Sequence, residues 1–309
     1  MPARGLPIGL AAAFLLLTLL LVFGSDESIP TRSFQALWNL GHVAYFAVIS
    51  LLLLQWPGLR SAAMPIRWVV LLLVTLLAGG LIEYLQIGTA RTADWMDLLR
   101  NFGGTLLVLA FWPGLQPRAG RWPLRLLALL WLGWALQPLV VALQDEWAAQ
   151  RQFPVLADFT APFELERWSG NARLGIVRRP ELSDRPLLEL DLRPAAYAGA
   201  GLRHFPPDWR GYRSLSLKLY LAGEQPLSLT LRIHDREHES GPRAYAFSDR
   251  FNRSFRLRPG WNEIRVPLDE IRKAPSRRTM DLSQVVDLSL FVAGLKRPRR
   301  IYLARIALQ

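Results

Sequence analysis

The chain of 309 residues has no cysteine, a mean hydropathy of +0.17 and a formal net charge of +12. The missing thiols exclude disulfides and thiolate catalysis, and 51% hydrophobic residues is too apolar for an ordinary soluble protein of this size. The charge is divided unevenly: residues 1–149 hold 9 Arg and 7 acids, a net of +2, whereas residues 150–309 hold 28 Lys+Arg and 18 acids, a net of +10. A domain boundary therefore falls near residue 150, with a membrane half (1–149) before it and a water-soluble half (150–309) after it. The basic surplus of the second half suits an anionic neighbourhood such as phospholipid headgroups or acidic glycans. No nucleic-acid-binding motif occurs, so no nucleic acid partner is assigned.

Five apolar segments, roughly 6–23, 35–56, 66–86, 98–112 and 124–143, have lengths near the ~20 residues that cross a hydrocarbon core. Trp38, Trp56, Trp68, Trp112, Trp122 and Trp147 stand near their ends, as interfacial aromatic belts do. With a cytoplasmic N-terminus, Arg4, Arg60, Arg67, Arg118, Arg121 and Arg125 lie inside, against Arg32, Arg91 and Arg100 outside; excess Arg marks the cytoplasmic side. An odd number of spans then exports residues 150–309 from a bacterial cytoplasmic (inner) membrane. A cleaved signal peptide is the rival reading of the first span, but its apolar run is long for one and no clear A-x-A site follows.

Polar residues interrupt these spans on what this topology makes the outer side. Tyr45 lies one turn after His42 on the second helix, and Glu83 and Gln86 share a face of the third. A short connection then carries Arg91, Asp94 and Asp97, and Asn101 follows in the next helix. Asp94, Asp97 and Asn101 form one stripe if that helix begins before residue 94. Gly79–Gly80 and Gly103–Gly104 let helices approach closely, so the polar groups can meet in one outward-opening pocket. Carboxylates beside hydrocarbon are kept with a partner or a task. His42, Glu83, Asp94 and Asp97 are the catalytic candidates; Tyr45, Gln86, Arg91 and Asn101 are the substrate-binding ones. Each has a bland alternative: a packing histidine at 42, a buried clamp of Glu83, Gln86 and Arg91, helix capping by Asp94 and Asp97. Oxygen donors without a fixed loop motif do not justify a metal, and no cofactor is assigned.

The order H-x2-Y (His42, Tyr45), E-x2-Q (Glu83, Gln86) and R-x2-D-x2-D-x3-N-x2-G (Arg91, Asp94, Asp97, Asn101, Gly104) resembles the VanZ-like family across about residues 5–115. Those are small bacterial integral membrane proteins named for a member linked to resistance to a glycopeptide antibiotic. The resemblance implies a role in the cell envelope. Where many relatives carry Asp-Lys shortly before the His, this chain has Trp38–Asn39.

From residue 153 onward the chain breaks into short alternating segments: LLELDL, SLSLKLYL, LSLTLRIHD, RSFRL, EIRVPL, LSLFVA and IYLARIAL. Period-two alternation with Pro and Gly between predicts about eight half-buried strands in an all-β jelly-roll sandwich. The order of DFTAPFELERW, DWRGYRSLSLKLYL, RPGWNEIRVPLDEI and RRIYLARIAL is similar to galactose-binding-like sandwiches, close to family-11 carbohydrate-binding modules and CIA30-type domains. Under that resemblance Trp168, Trp209 and Trp261 are core or turn residues. Arg232, His234, Asp235, Tyr245 and Arg250 are the ligand-face candidates, because sugars are held by aromatic faces and planar bidentate groups. Many relatives carry an Asp in the last strand, where this chain has Ala304–Arg305.

The expectation is a bundle of about five transmembrane helices joined to a jelly roll. Its partners are membrane lipid and a glycan or lipid-linked glycan, and its role is envelope polysaccharide assembly or protection. The alternatives are a membrane enzyme acting on a polyprenyl-phosphate-linked substrate through Glu83, His42 and Arg91, and a scaffold whose sandwich docks protein.

Overall fold

A computed structural model describes residues 5–23, 31–86, 95–116, 119–240 and 244–309. The chain divides into two compact units, Met1–Leu143 and Gln144–Gln309, the division falling within one long helix.

The helical part runs α1 Gly5–Phe23, α2 Arg32–Leu53, α3 Pro57–Ser61, α4 Met64–Gln86, α5 Trp95–Phe111 and α6 Arg121–Gln152. Thr31 caps α2 by accepting a hydrogen bond from the Phe34 N–H at 3.3 Å. Among the described residues, three stretches are long and apolar enough to cross a membrane: Arg32–Leu53, Met64–Tyr84 and Arg121–Gln152. Their large apolar side chains point outward at Val69, Leu73, Leu77, Leu81, Leu126 and Leu130, the reverse of a water-soluble bundle. The first and fourth expected spans are shorter as described, Ile8–Leu20 in α1 and the 17 residues of α5. At 1.5 Å per residue α5 spans about 26 Å, somewhat less than a ~30 Å hydrocarbon core.

The unit is fastened by small residues and hydroxyls. A Cβ on Gly104 would run into the backbone of Val43 and Ala47, so α5 and α2 meet main chain to main chain. The hydroxyl of Thr105 then lies 3.1 Å from Ser50 on α2 and 2.6 Å from Thr75 on α4, a buried ladder across three helices. Gly104→Leu is expected to lower the thermal midpoint of the detergent-solubilised protein, by overpacking worth about 1–3 kcal/mol. Gly80→Leu, with nothing within 4 Å of its Cβ, is the control; equal midpoints would contradict the close approach.

The second unit holds β1 Val155–Ala157, β2 Trp168–Gly170, β3 Arg173–Val177, β4 Leu187–Leu192, β5 Ala195–Leu202, β6 Ser214–Leu221, β7 Leu227–Asp235, α7 Arg236–Ser240, β8 Phe251–Leu257, β9 Gly260–Pro267, α8 Leu268–Arg272, β10 Val285–Leu295 and β11 Arg299–Leu308. One sheet has the order β3-β4-β11-β6-β9 with β1 on β11; the other has β2-β5-β10-β7-β8. All pairings are antiparallel. Strands β4 to β11 connect in the jelly-roll manner, and the short β1, β2 and β3 extend it. Alternation decides the faces: Leu215, Leu217, Leu219 and Leu221 of β6 face Leu227, Leu229, Leu231 and Ile233 of β7 across one core. Trp168 and Trp209 are buried in that core, whereas Trp261 is 40% exposed beside Tyr220.

Candidate functional site

Two polar constellations stand out, one in each unit. In the helical unit, His42 on α2 is buried between two side chains of α5: its Nδ1 is 3.0 Å from Asn101 Oδ1 and its Nε2 is 3.6 Å from the Asp97 carboxylate. Asp97 also pairs with Arg100, three residues along the same helix. Gly79 on α4 makes room for the Asn101 amide, since a Cβ there would lie 2.7 Å from Asn101 Nδ2. Three of the residues expected in the pocket are thus brought together. Tyr45 departs from the expectation: its ring stacks on Phe14 at 5.5 Å and its hydroxyl accepts from Thr18 of α1 at 3.3 Å. It sits three positions after His42, about 60° round the helix, which is enough to meet a different neighbour. Glu83 is half-buried on α4, and Gln86 closes that helix with only its backbone described. Arg91 and Asp94 lie outside the described residues, and α5 begins at Trp95.

In the sandwich, the outward face of the β5-β10-β7-β8 sheet carries the chemistry. Pairing sets its rows: Ser289 lies between Gly201 and Arg232, Arg232 pairs with Asn252, and Phe291 lies between Gly199 and Thr230. Gly199 and Gly201 are required here, because a Cβ on either would strike β10, at Phe291 or at the Ser289 Oγ. Arg232 donates to Asp287 at 3.2 Å and to Ser289 at 3.0 Å. Arg203 reaches Asp287 at 3.4 Å and Glu239 at 2.5 Å, and His234 Nε2 is 3.2 Å from Glu239. The hydrogen bond from His234, helped by Arg203 and opposed by burial, holds the Glu239 carboxyl below its usual range. Three exposed rings lie nearby: Tyr197 is edge-on to Phe291 at 5.7 Å, Phe247 is 5.5 Å from the Arg250 guanidinium, and Tyr245 is 6.1 Å from the His238 ring. Tyr245 sits at φ 65°, a left-handed conformation that costs a non-glycine residue roughly 1 kcal/mol or more and clusters at functional sites.

Beneath α7 a second network is buried. Arg278 clamps Asp235 and Asp249, and Asp249 is 3.4 Å from His238, whose ring lies 4.6 Å from that of His234. Burial, then the neighbouring His234, push the His238 ring below its usual pKa.

Of the five ligand-face candidates, Arg232 and His234 lie on this sheet face, and Tyr245 and Arg250 lie in the β7–β8 connection beside it. Asp235 does not join them. It is fully buried, bonded by Arg278 and by the Asp281 N–H at 2.7 Å, opposite the register shift between Val285 and Asp287. The irregularity ends the strand alternation just where the sequence reads HDRE. Arg203, Glu239, Asp287, Ser289, Tyr197 and Phe247 were not anticipated. The usable signals were polar Asp287 and Ser289 at alternate positions of an apolar strand, and Tyr197 followed by alternating glycines.

No protein-family model matches the chain, and no curated protein matches it. Among solved structures, a family 11 carbohydrate-binding module from Clostridium thermocellum, determined with a beta-1,3-1,4-mixed-linked tetrasaccharide, is 15% identical with a TM-score of 0.39. The match covers 50% of this chain and 93% of that one. An exo-beta-agarase is 18% identical with a TM-score of 0.40, over 50% of this chain and only 24% of the agarase. A family 30 carbohydrate-binding module from the same Clostridium is 14% identical with a TM-score of 0.33, over 45% of this chain and 86% of that one.

Proposed function

We propose that this is a bacterial envelope protein, anchored by its apolar helices in the cytoplasmic membrane, whose exported sandwich binds glycan. It holds a surface or lipid-linked polysaccharide during assembly or protection of the envelope, as the VanZ-like pattern implies. The observation that carries this reading is the outward face of the β5-β10-β7-β8 sheet. Exposed rings at Tyr197, Tyr245 and Phe247 accompany planar donors and acceptors at Arg232, Asn252, Asp287 and Glu239. Apolar ring faces beside oriented polar groups are what a sugar ring, with one apolar face and equatorial hydroxyls, requires.

The test is binding of the detergent-solubilised protein to a glycan array. The double variant Tyr197→Ala/Tyr245→Ala is expected to weaken the best ligand about tenfold, from the ~0.5–1.5 kcal/mol each aromatic contact contributes beyond its area. Wild-type protein that binds no glycan would sink the reading and leave the sandwich a protein-docking scaffold.

His42, bracketed by Asn101 and Asp97, favours a second reading: an enzyme acting on a polyprenyl-phosphate-linked substrate. Both ring nitrogens of the buried histidine are engaged, so on this reading the Asp97 carboxylate, positioned by His42, is the base that meets the substrate proton. On this reading His42→Gln abolishes turnover of a polyprenyl-phosphate probe while the protein still inserts and melts normally; turnover equal to wild type removes it.

A further inference from the structure

The charges on the sandwich face do not balance, and the imbalance names a ligand class. Arg203, Arg232 and Arg250 converge there with two carboxylates, Asp287 and Glu239. Both carboxylates are already engaged: Asp287 by Arg232 and Arg203, Glu239 by Arg203 and His234. Arg250 has no ion pair or hydrogen bond among the described residues. The Phe247 ring lies 5.5 Å from its guanidinium carbon, and its Nε is buried without a partner among the described residues, as is the Nε of Arg232. Burial, then repulsion from Arg232, push the Arg250 pKa below its ordinary value, with Asp287 and Tyr197 only partly opposing.

A half-buried guanidinium whose Nε is shielded and unpartnered is stabilised when an anion arrives beside it. Neutral hydroxyls can satisfy the guanidinium hydrogens but cannot compensate the charge. A carboxylate does both, because its two oxygens match the planar fork of Arg.

We infer that this face selects acidic saccharides, chains carrying uronate carboxylates, over neutral ones, with Arg250 supplying the selecting charge. This rests on the glycan-binding reading of the same face. The saccharide ring lies against the exposed aromatics, and its carboxylate meets Arg250 and the open edge of Arg232.

The experiment compares three probes on the full-length protein in detergent: hexagalacturonate, its fully methyl-esterified form, and cellohexaose. Wild type is expected to prefer the acid over the ester by about tenfold or more, the usual worth of one charge-assisted pair, with the preference shrinking as salt is raised. Arg250→Gln, which keeps hydrogen bonding and removes the charge, is expected to bind the acid and the ester alike. Equal binding of acid and ester by wild type, or tighter binding of cellohexaose, would overturn the inference and leave the glycan reading standing. Binding of no glycan on a broad array would overturn both. The wild-type comparison alone decides selectivity if Arg250→Gln does not fold, and a preference that survives in folded Arg250→Gln would also overturn it.

Discussion

Arg167→Met should destabilise the sandwich unit by about 3–5 kcal/mol, as expected when one partner of a buried ion pair is removed. Arg167 is 2% exposed and Asp145 is fully buried. The Arg167 Nε donates to both carboxylate oxygens of Asp145, at 2.9 and 3.0 Å; its Nη2 is 2.7 Å from Oδ1 and also donates to the Asp145 carbonyl at 3.2 Å. Truncating the arginine leaves that carboxylate in a low-dielectric interior with its chief counter-charge gone. Nearby Glu164 would suffer too. Burial already raises its pKa, and Arg167 is among the groups holding it down, together with hydrogen bonds from the Phe159 and Asp158 backbone. Denaturant unfolding of the intact protein, followed by tryptophan fluorescence, measures the loss. The double variant Asp145→Leu/Arg167→Met should recover much of it, because an apolar pair of similar volume can match a buried ion pair. Single variants within about 1 kcal/mol of wild type would show that the pair is not isolated from water.

That pair illustrates what the sequence could not disclose. Asp145 and Arg167 stand 22 residues apart, on either side of the expected domain boundary near residue 150, and each reads as an ordinary solvated charge. Only the fold brings them together. By contrast, the alternation in SLSLKLYL and LSLTLRIHD was legible, because a period of two has one meaning for a half-buried sheet, and those segments are β6 and β7. The three-residue strands β1 and β2 were not legible, since their pairing partners define them rather than any pattern of their own.

The candidate sites divide along the same line. His42, Asp97 and Asn101 could be grouped because helical spacing placed the last two on one stripe, and glycines marked where helices close in. Tyr45 was misgrouped because spacing along one helix does not say which neighbouring helix a side chain meets. On the sandwich, Arg232, His234, Tyr245 and Arg250 come from one continuous polar stretch and were found together. Arg203 and Asp287 come from β5's end and from β10, and they reach the same face only through long-range strand pairing.

Arg278→Met should destabilise by a comparable amount at neutral pH, and its signature is that the deficit fades in acid. Arg278 donates to both Asp235 oxygens at 2.5 and 2.7 Å and to both Asp249 oxygens at 2.8 Å. Burial alone would raise the Asp235 carboxyl; hydrogen bonds from Arg278 and the Asp281 N–H outweigh it, and the net shift is downward. The hydrogen bond from Arg278 is the largest cause lowering Asp249. A carboxylate depressed in the folded state contributes stability that is fully present above its unfolded pKa, near 3.9, and is lost as pH falls through the folded value. In the variant, Asp235 is buried without its chief partner, so its pKa rises and it protonates earlier as the solution is acidified. Neutral Asp235 is far cheaper to bury. The wild-type and variant unfolding free energies should therefore differ by about 3–5 kcal/mol near pH 7, and the gap should narrow as pH falls through the variant's raised Asp235 pKa toward the depressed wild-type one. The same clamp positions Asp249 against His238, and through α7 the Glu239 carboxylate, so saccharide binding should fall with stability at neutral pH. A deficit that stays constant from pH 7 to about pH 3.5 would mean that Arg278 acts by packing rather than by holding two ionised carboxylates.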